Sequence, residues 1–185
     1  SRAVSPLFSR LFPEVPKNHP AVGSMMMNFS ANMLGLDNAA TPLGLKAINS
    51  LQELNPKKDT ASNAQIMFLV LNTSGLTIIP VSILAYRATH NSANPTEVFL
   101  PILFATFFSS LVGLIAVSIF QRINLFNKII LAYLGSITAL IVGLLYFLIK
   151  HPEYTEVVAN VGGNLLLFSI IILFIVLAIR KKVNV

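Results

Sequence analysis

Residues 65–86 read QIMFLVLNTSGLTIIPVSILAY. At 1.5 Å rise per residue such a run covers the roughly 30 Å hydrocarbon core of a bilayer. Its middle is not apolar, however. Asn72, Thr73, Ser74 and Gly75 stand together, and Pro80 follows. Glycine lowers helix propensity, and the proline removes a donor and disturbs the carbonyl of Leu76. A membrane segment interrupted in this way predicts a broken or kinked helix, because freed backbone groups at that depth need protein or water to satisfy them. Two readings stand. One is a site near the bilayer midplane, of the kind that broken helices build in transporters. The other is a proline-kinked helix whose Ser and Thr bond back to their own turn, with Asn72 holding a neighbouring helix.

Working outward, three further apolar runs can span: 98–120, 129–149 and 165–179, the last extended by 162–164. Runs of this length fit helices, not barrel strands. Ser62-Asn63-Ala64-Gln65 reads as a capping box, and Asn94-Pro95-Thr96-Glu97 as an Asn cap with proline in the first turn. Composition agrees: 55% of the 185 residues are hydrophobic and 11% charged, less than half the usual charged share of about a quarter.

Residues 20–34 form a shorter and more polar helix. Ser24, Asn28 and Asn32 recur at i, i+4 and i+8 and share one face, and Gly35 can stop the helix. A spanning helix, a re-entrant half-helix and an amphipathic surface helix all fit that pattern. The charge distribution favours the re-entrant form. With four spans and 20–34 re-entrant, eleven Lys and Arg fall on one side and only two, Arg87 and Lys150, on the other. If 20–34 crosses, the split is eight against five. The positive-inside rule then places both ends of the chain in the cytoplasm. From Thr41-Pro42 a helix to Leu54, with Leu45, Ile48, Leu51 and Leu54 on one face, reads as interfacial. Residues 55–60 read as a polar turn.

Several function classes are excluded. The chain has no Cys, 7 acidic residues and 3 His, so neither thiolate chemistry nor a carboxylate metal cluster is expected. His19, His90 and His151 sit in predicted loops. There is no G-x-S-x-G, H-E-x-x-H or P-loop, and no enzyme activity, cofactor or metal is expected. The net charge of +6 comes from cations flanking apolar runs, which argues against nucleic acid. Residues 1–17 hold no apolar core of signal-peptide type, and the chain, which begins at Ser1, reads as a piece of something longer. Met25, Met26 and Met27 read as adaptable packing, and Gly135, Ala139 and Gly143 as a helix-packing ridge.

The candidate solute-binding residues are therefore Ser24, Asn28, Asn32, Asn38, Asn72, Thr73 and Ser74. Asparagine offers two donors and two acceptors, which suits a neutral polar solute, an unwound backbone or a partner helix. Asp37 either caps the turn or meets a cation. Lipid cannot satisfy so many polar groups, so the Ser24/Asn28/Asn32 face is expected to pack against the break at 72–75.

Particular stretches carry a family resemblance. LFPEVP at 11–16, HPA at 19–21, NMLGLDNAATPLGLKA at 32–47, FLVLNTS at 68–74 and TIIP at 77–80 resemble spore maturation protein A. That family belongs to the nucleoside-recognition, or gate-domain, membrane proteins, which are similar to parts of concentrative nucleoside transporters and of the ferrous-iron transporter B. The resemblance covers residues 5–121. Residues 151–185 resemble the amino-terminal helix and basic exit of spore maturation protein B, an arrangement similar to fused A–B chains. The resemblance implies an inner-membrane protein with a partner half, associated in spore-formers with dehydration of the spore core. It carries no catalytic residue and no proven substrate.

The expected fold is all-α: a polytopic transmembrane bundle with about four spanning helices and one re-entrant or broken helix. Residues 1–121 would be the gate domain of an A-type half, and 122–185 two further helices leading into a B-type half. The expected function is a transporter-like or gating module for a small polar solute; the alternative is a structural membrane protein that assembles with a B-type partner. The expected partners are the lipid bilayer, a B-type half in the same or a separate chain, and a second copy of the chain.

Overall fold

The computed structural model describes residues 5–180, and every regular element among them is helical. The order is α1 (Ser5–Leu11), α2 (Pro20–Met33), α3 (Asp37–Leu54), α4 (Asn63–Ser74), α5 (Val81–Thr89), α6 (Phe99–Phe120), α7 (Lys128–Lys150) and α8 (Thr155–Arg180). Single 3-10 turns at Pro95–Val98 and Pro152–Tyr154 lead into α6 and α8.

Helices α2 and α3 make a hairpin. Helix α2 ends on Gly35, whose φ of +58° lies in the left-handed region. There the Gly35 N–H donates to the Asn32 carbonyl and the Leu36 N–H to Ala31, the two bonds of a Schellman stop. The chain reverses and α3 packs along α2, so that Ala21 and Met25 share a core with Ala47 and Leu51.

The mouth of this hairpin lies at the amino end of α4. The Asn63 carboxamide bonds Glu14, just before α2, and the Gln65 side chain accepts from Asn55, just after α3. Its tip lies at the other end of α4, where the Ile78 and Ile79 N–H groups both donate to the Met33 carbonyl. The hairpin therefore enters and leaves at one end of the molecule and reaches a depth of about 18 Å, the length of the 12-residue α4 at 1.5 Å per residue. A hairpin of this form is what a re-entrant segment requires. Helix α3 is its return arm, where the sequence suggested an interfacial helix. It also begins at Asp37, a turn before the expected Thr41-Pro42 start, so Pro42 stands inside it, in the second turn, and leaves the Asn38 carbonyl without its helical N–H.

The segment 65–86 is two half-helices. Gly75, at φ +58°, caps α4, and Pro80 precedes α5. The interruption thus starts at the glycine, and the proline opens the second half instead of kinking a continuous helix. The two halves together run from the hairpin mouth to the opposite end, where Arg87 pairs with Glu97 at 3.5 Å. Helix α6 runs back beside them, and Gln121 at its end donates to the Asn63 carbonyl.

Two helices among the described residues are long and apolar enough to cross a membrane, Pro95–Phe120 and Lys128–Lys150. Helix α7 exposes Leu131, Leu140 and Ile149 at more than half of their surface, as a lipid-facing helix does. The protein is an all-helical membrane protein. Lys17, Lys57, Lys58, Arg122 and Lys128 gather at the hairpin mouth, whereas Arg87 and Lys150 stand at the far end. Arg2, Lys181 and Lys182 lie outside the described residues.

Other expectations are corrected. Among the described residues the small ridge Gly135/Ala139/Gly143 is not a packing face, since a Cβ at either glycine would meet nothing within 4 Å. The close approach is at Gly113 of α6, where a Cβ would lie 3.1 Å from Val70 of α4. His19 lies at the end of its loop, where its Nδ1 accepts from the Ala21 N–H and caps α2. The Asn94 side chain accepts from the Thr96 hydroxyl, not from a helix N–H. The capping box of Ser62 and Gln65 has both of its bonds.

Candidate functional site

Three carboxamides meet where the hairpin faces α4. Asn28 is buried in α2, and its Nδ2 donates to the Ala40 carbonyl at 2.8 Å, tying the two hairpin arms together. One turn on, the Asn32 Nδ2 donates to Asn72 Oδ1 at 2.5 Å and also to Asn28 Oδ1 at 3.4 Å. Asn32 thus bridges the hairpin to the last turn of α4. Gly44 of α3 closes the fourth side: a Cβ there would stand 3.0 Å from Asn28 Nδ2 and 3.6 Å from Asn72 Nδ2. A side chain there would press on the Asn28 amide.

The cluster borders an open cleft of about 300 Å³ between α2, α3 and α4. Phe68, Leu69, Leu45 and Ile48 give it an apolar wall, and the Thr41 side chain adds a hydroxyl. No ionisable side chain lines it. After the bonds above, the Asn32 Oδ1 acceptor and the Asn72 Nδ2 donor are still available to a ligand. One free acceptor beside one free donor complements an amide, a lactam or a hydroxyl-rich solute.

The remaining sequence candidates distribute differently. Ser24 is buried on the same face of α2 but one turn short of the cleft. Ser74 bonds back to the Leu71 carbonyl at 3.0 Å and serves its own turn. Thr73 is exposed, about 100° around α4 from Asn72. Asn38 and Asp37 are exposed in the first turn of α3, away from the carboxamides. The structure thus brings together Asn28, Asn32 and Asn72 and leaves Asn38 and Thr73 outside.

Backbone groups freed at the break are met by protein. The Thr77 N–H donates to the Thr106 hydroxyl of α6 at 3.1 Å, and Ile78 and Ile79 bond to Met33. The Ser82 N–H donates to the Gly35 carbonyl at 3.3 Å, and its hydroxyl donates to the same oxygen. Thr106 is a partner that sequence reading missed, since one Thr in an apolar run gives no sign of what it will face. Gly44 was missed for the same reason.

Residues 1–89 match the family described as Gate: Nucleoside recognition. Over 115 residues the chain is 43% identical to Spore maturation protein A of Bacillus subtilis (strain 168), a stretch covering 62% of this chain and 59% of that protein. The chain therefore spans less than two thirds of the curated relative it matches. No solved structure matches it.

Proposed function

We propose that this chain, whose residues 1–89 match the nucleoside-recognition Gate family, is the transporter-like or gating module of a bacterial inner-membrane protein. The observation that carries this reading is the convergence of Asn28, Asn32 and Asn72 on an uncharged cleft, where a re-entrant hairpin meets a broken helix. Interrupted helices at membrane depth are the usual way to present backbone and amides to a solute. The solute is small, polar and uncharged, because desolvating an ion against carboxamides alone is unfavourable. The cleft's side chains hold and orient such a solute and offer no general acid, base or nucleophile, so the role is non-enzymatic.

The hairpin mouth faces the cytoplasm in this reading, supported by Lys17, Lys57, Lys58, Arg122 and Lys128 there, with Arg87 and Lys150 at the far end. Residues 1–121 act as the gate-bearing A-type half and 122–185 lead toward a B-type half. Uptake by proteoliposomes of the full-length protein, with nucleosides, divalent cations and small osmolytes as substrates, tests the proposal. Saturable uptake of a neutral solute, lost in Asn72→Ala, supports it. Uptake of none of the three removes it.

One observation favours a second reading. The carboxamides already bond one another, as they would if their role were to fasten helices in a structural partner of a B-type half. In that case Asn72→Ala weakens assembly and thermal stability and changes no flux.

A further inference from the structure

A second cleft lies on the other half of the broken helix. It has a volume of about 560 Å³ and opens at the end opposite the hairpin mouth. One wall is α5, presenting Leu84 and Ala88; the other is polar and comes from the 93–96 turn and the start of α8. The Thr96 hydroxyl donates to Asn94 Oδ1 at 2.9 Å and also contacts the Asn160 carboxamide oxygen. A Cβ at Gly163 would lie 3.5 Å from Thr96, so α8 packs at ordinary contact distance against the 93–96 turn. Glu156, the only charged lining group, is exposed.

The two clefts share a chemistry: carboxamides and a hydroxyl facing an apolar helix wall. Each is walled by one half of the same broken helix, Leu69 and Asn72 of α4 in one and Leu84 and Ala88 of α5 in the other. Between them lies the junction of Gly35 with Ile79 and Pro80, all three buried. We propose that Asn94, Thr96 and Asn160 form a second binding site, on the opposite side of the junction, for the same class of neutral hydrogen-bonding solute. This rests on the solute-handling reading above. It makes the molecule two-mouthed, with the junction as the barrier between the mouths.

The chain has no Trp, so a single introduced Trp reports on each cleft separately. Leu69→Trp labels the first and Ala88→Trp the second, each in the full chain reconstituted in nanodiscs and titrated with nicotinamide, a neutral carboxamide with an apolar ring. The expected result is a saturable fluorescence change in both, with the Ala88→Trp response weakened about tenfold by Asn160→Ala or by Thr96→Val, each of which removes a hydrogen bond, and the Leu69→Trp response unaffected. Circular dichroism of each variant confirms that it is folded, and two independent substitutions guard against the failure of one. A response from Leu69→Trp alone overturns the second site and leaves the first reading standing. A response from Ala88→Trp alone overturns the first reading and leaves the second site. Silence from both overturns both, and an Ala88→Trp response indifferent to Asn160 and Thr96 overturns the assignment of its residues.

Discussion

Gly35 and Pro80 touch backbone to backbone. A Cβ built on Gly35 would lie 2.9 Å from the Pro80 Cα and 2.9 Å from the Ile79 carbonyl oxygen. The turn that reverses the re-entrant hairpin is thereby seated on the linker of the broken helix. The two irregular stretches satisfy each other's backbone: Met33 accepts from Ile78 and Ile79, and Gly35 accepts from Ser82. Neither could sit at membrane depth alone, because each unsatisfied group there costs several kcal/mol.

Replacing this glycine separates two contributions. Gly35→Ala adds left-handed backbone strain of about 1–2 kcal/mol and a clash with backbone that cannot move aside. Gly75 has the same φ of +58°, but its Cβ would meet nothing nearer than 3.7 Å. Gly75→Ala therefore suffers the strain alone. Thermal unfolding in detergent is expected to rank wild type above Gly75→Ala and Gly75→Ala well above Gly35→Ala. Equal losses would remove the close-contact argument.

The Asn32–Asn72 bond joins the hairpin to α4. A double-mutant cycle with Asn32→Ala and Asn72→Ala measures it, and the expected coupling is about 1 kcal/mol. Strict additivity of the two losses would mean that the bond does not form.

Thr106→Val keeps the shape of the side chain and removes the hydroxyl that the Thr77 N–H needs. The loss expected is about 1 kcal/mol, since the donor left unpaired is half-buried. Thr138→Val on α7, where the side chain has no such duty, serves as the comparison in the same unfolding assay. Matching stability in the two variants would show that the break does not depend on Thr106.

Helices α4 and α6 approach through Gly113. Gly113→Leu drives its side chain into Val70 and is expected to lower stability by about 2 kcal/mol or more, whereas Gly135→Leu on the open face of α7 leaves the unfolding temperature within a degree or so. The reverse order would relocate the packing ridge to α7.

What the sequence reveals and what it hides follow from the range of each interaction. The Ser62/Gln65 capping box and the Gly35 stop are legible because all their partners lie within a few residues. The meeting of Asn28 and Asn32 with Asn72 is legible from the cost of amides in lipid, which leaves few places for them to go. The seven-residue α1 is hidden because a single turn or two shows no periodicity, although Leu11 and the adjoining Phe12 are core residues. Thr106 and Gly113 are hidden because their roles exist only once α6 lies against α4. Asn38 and Thr73 were misplaced by proximity in sequence: one residue along a helix turns a side chain about 100° away from its neighbour's target.

The central claim is that the α2–α3 hairpin enters and leaves on one side while α4 and α5 together cross to the other. Cysteine accessibility tests it directly, on a chain with no native Cys. Single substitutions Asn18→Cys, Lys57→Cys, Asn91→Cys, Asn124→Cys and Glu153→Cys, all at exposed positions, are labelled from each side of an intact membrane. The account predicts that positions 18, 57 and 124 label from the cytoplasm and 91 and 153 from the opposite side. Labelling of 18 and 57 from opposite sides would make α2 a crossing helix and contradict the re-entrant geometry on which the site depends.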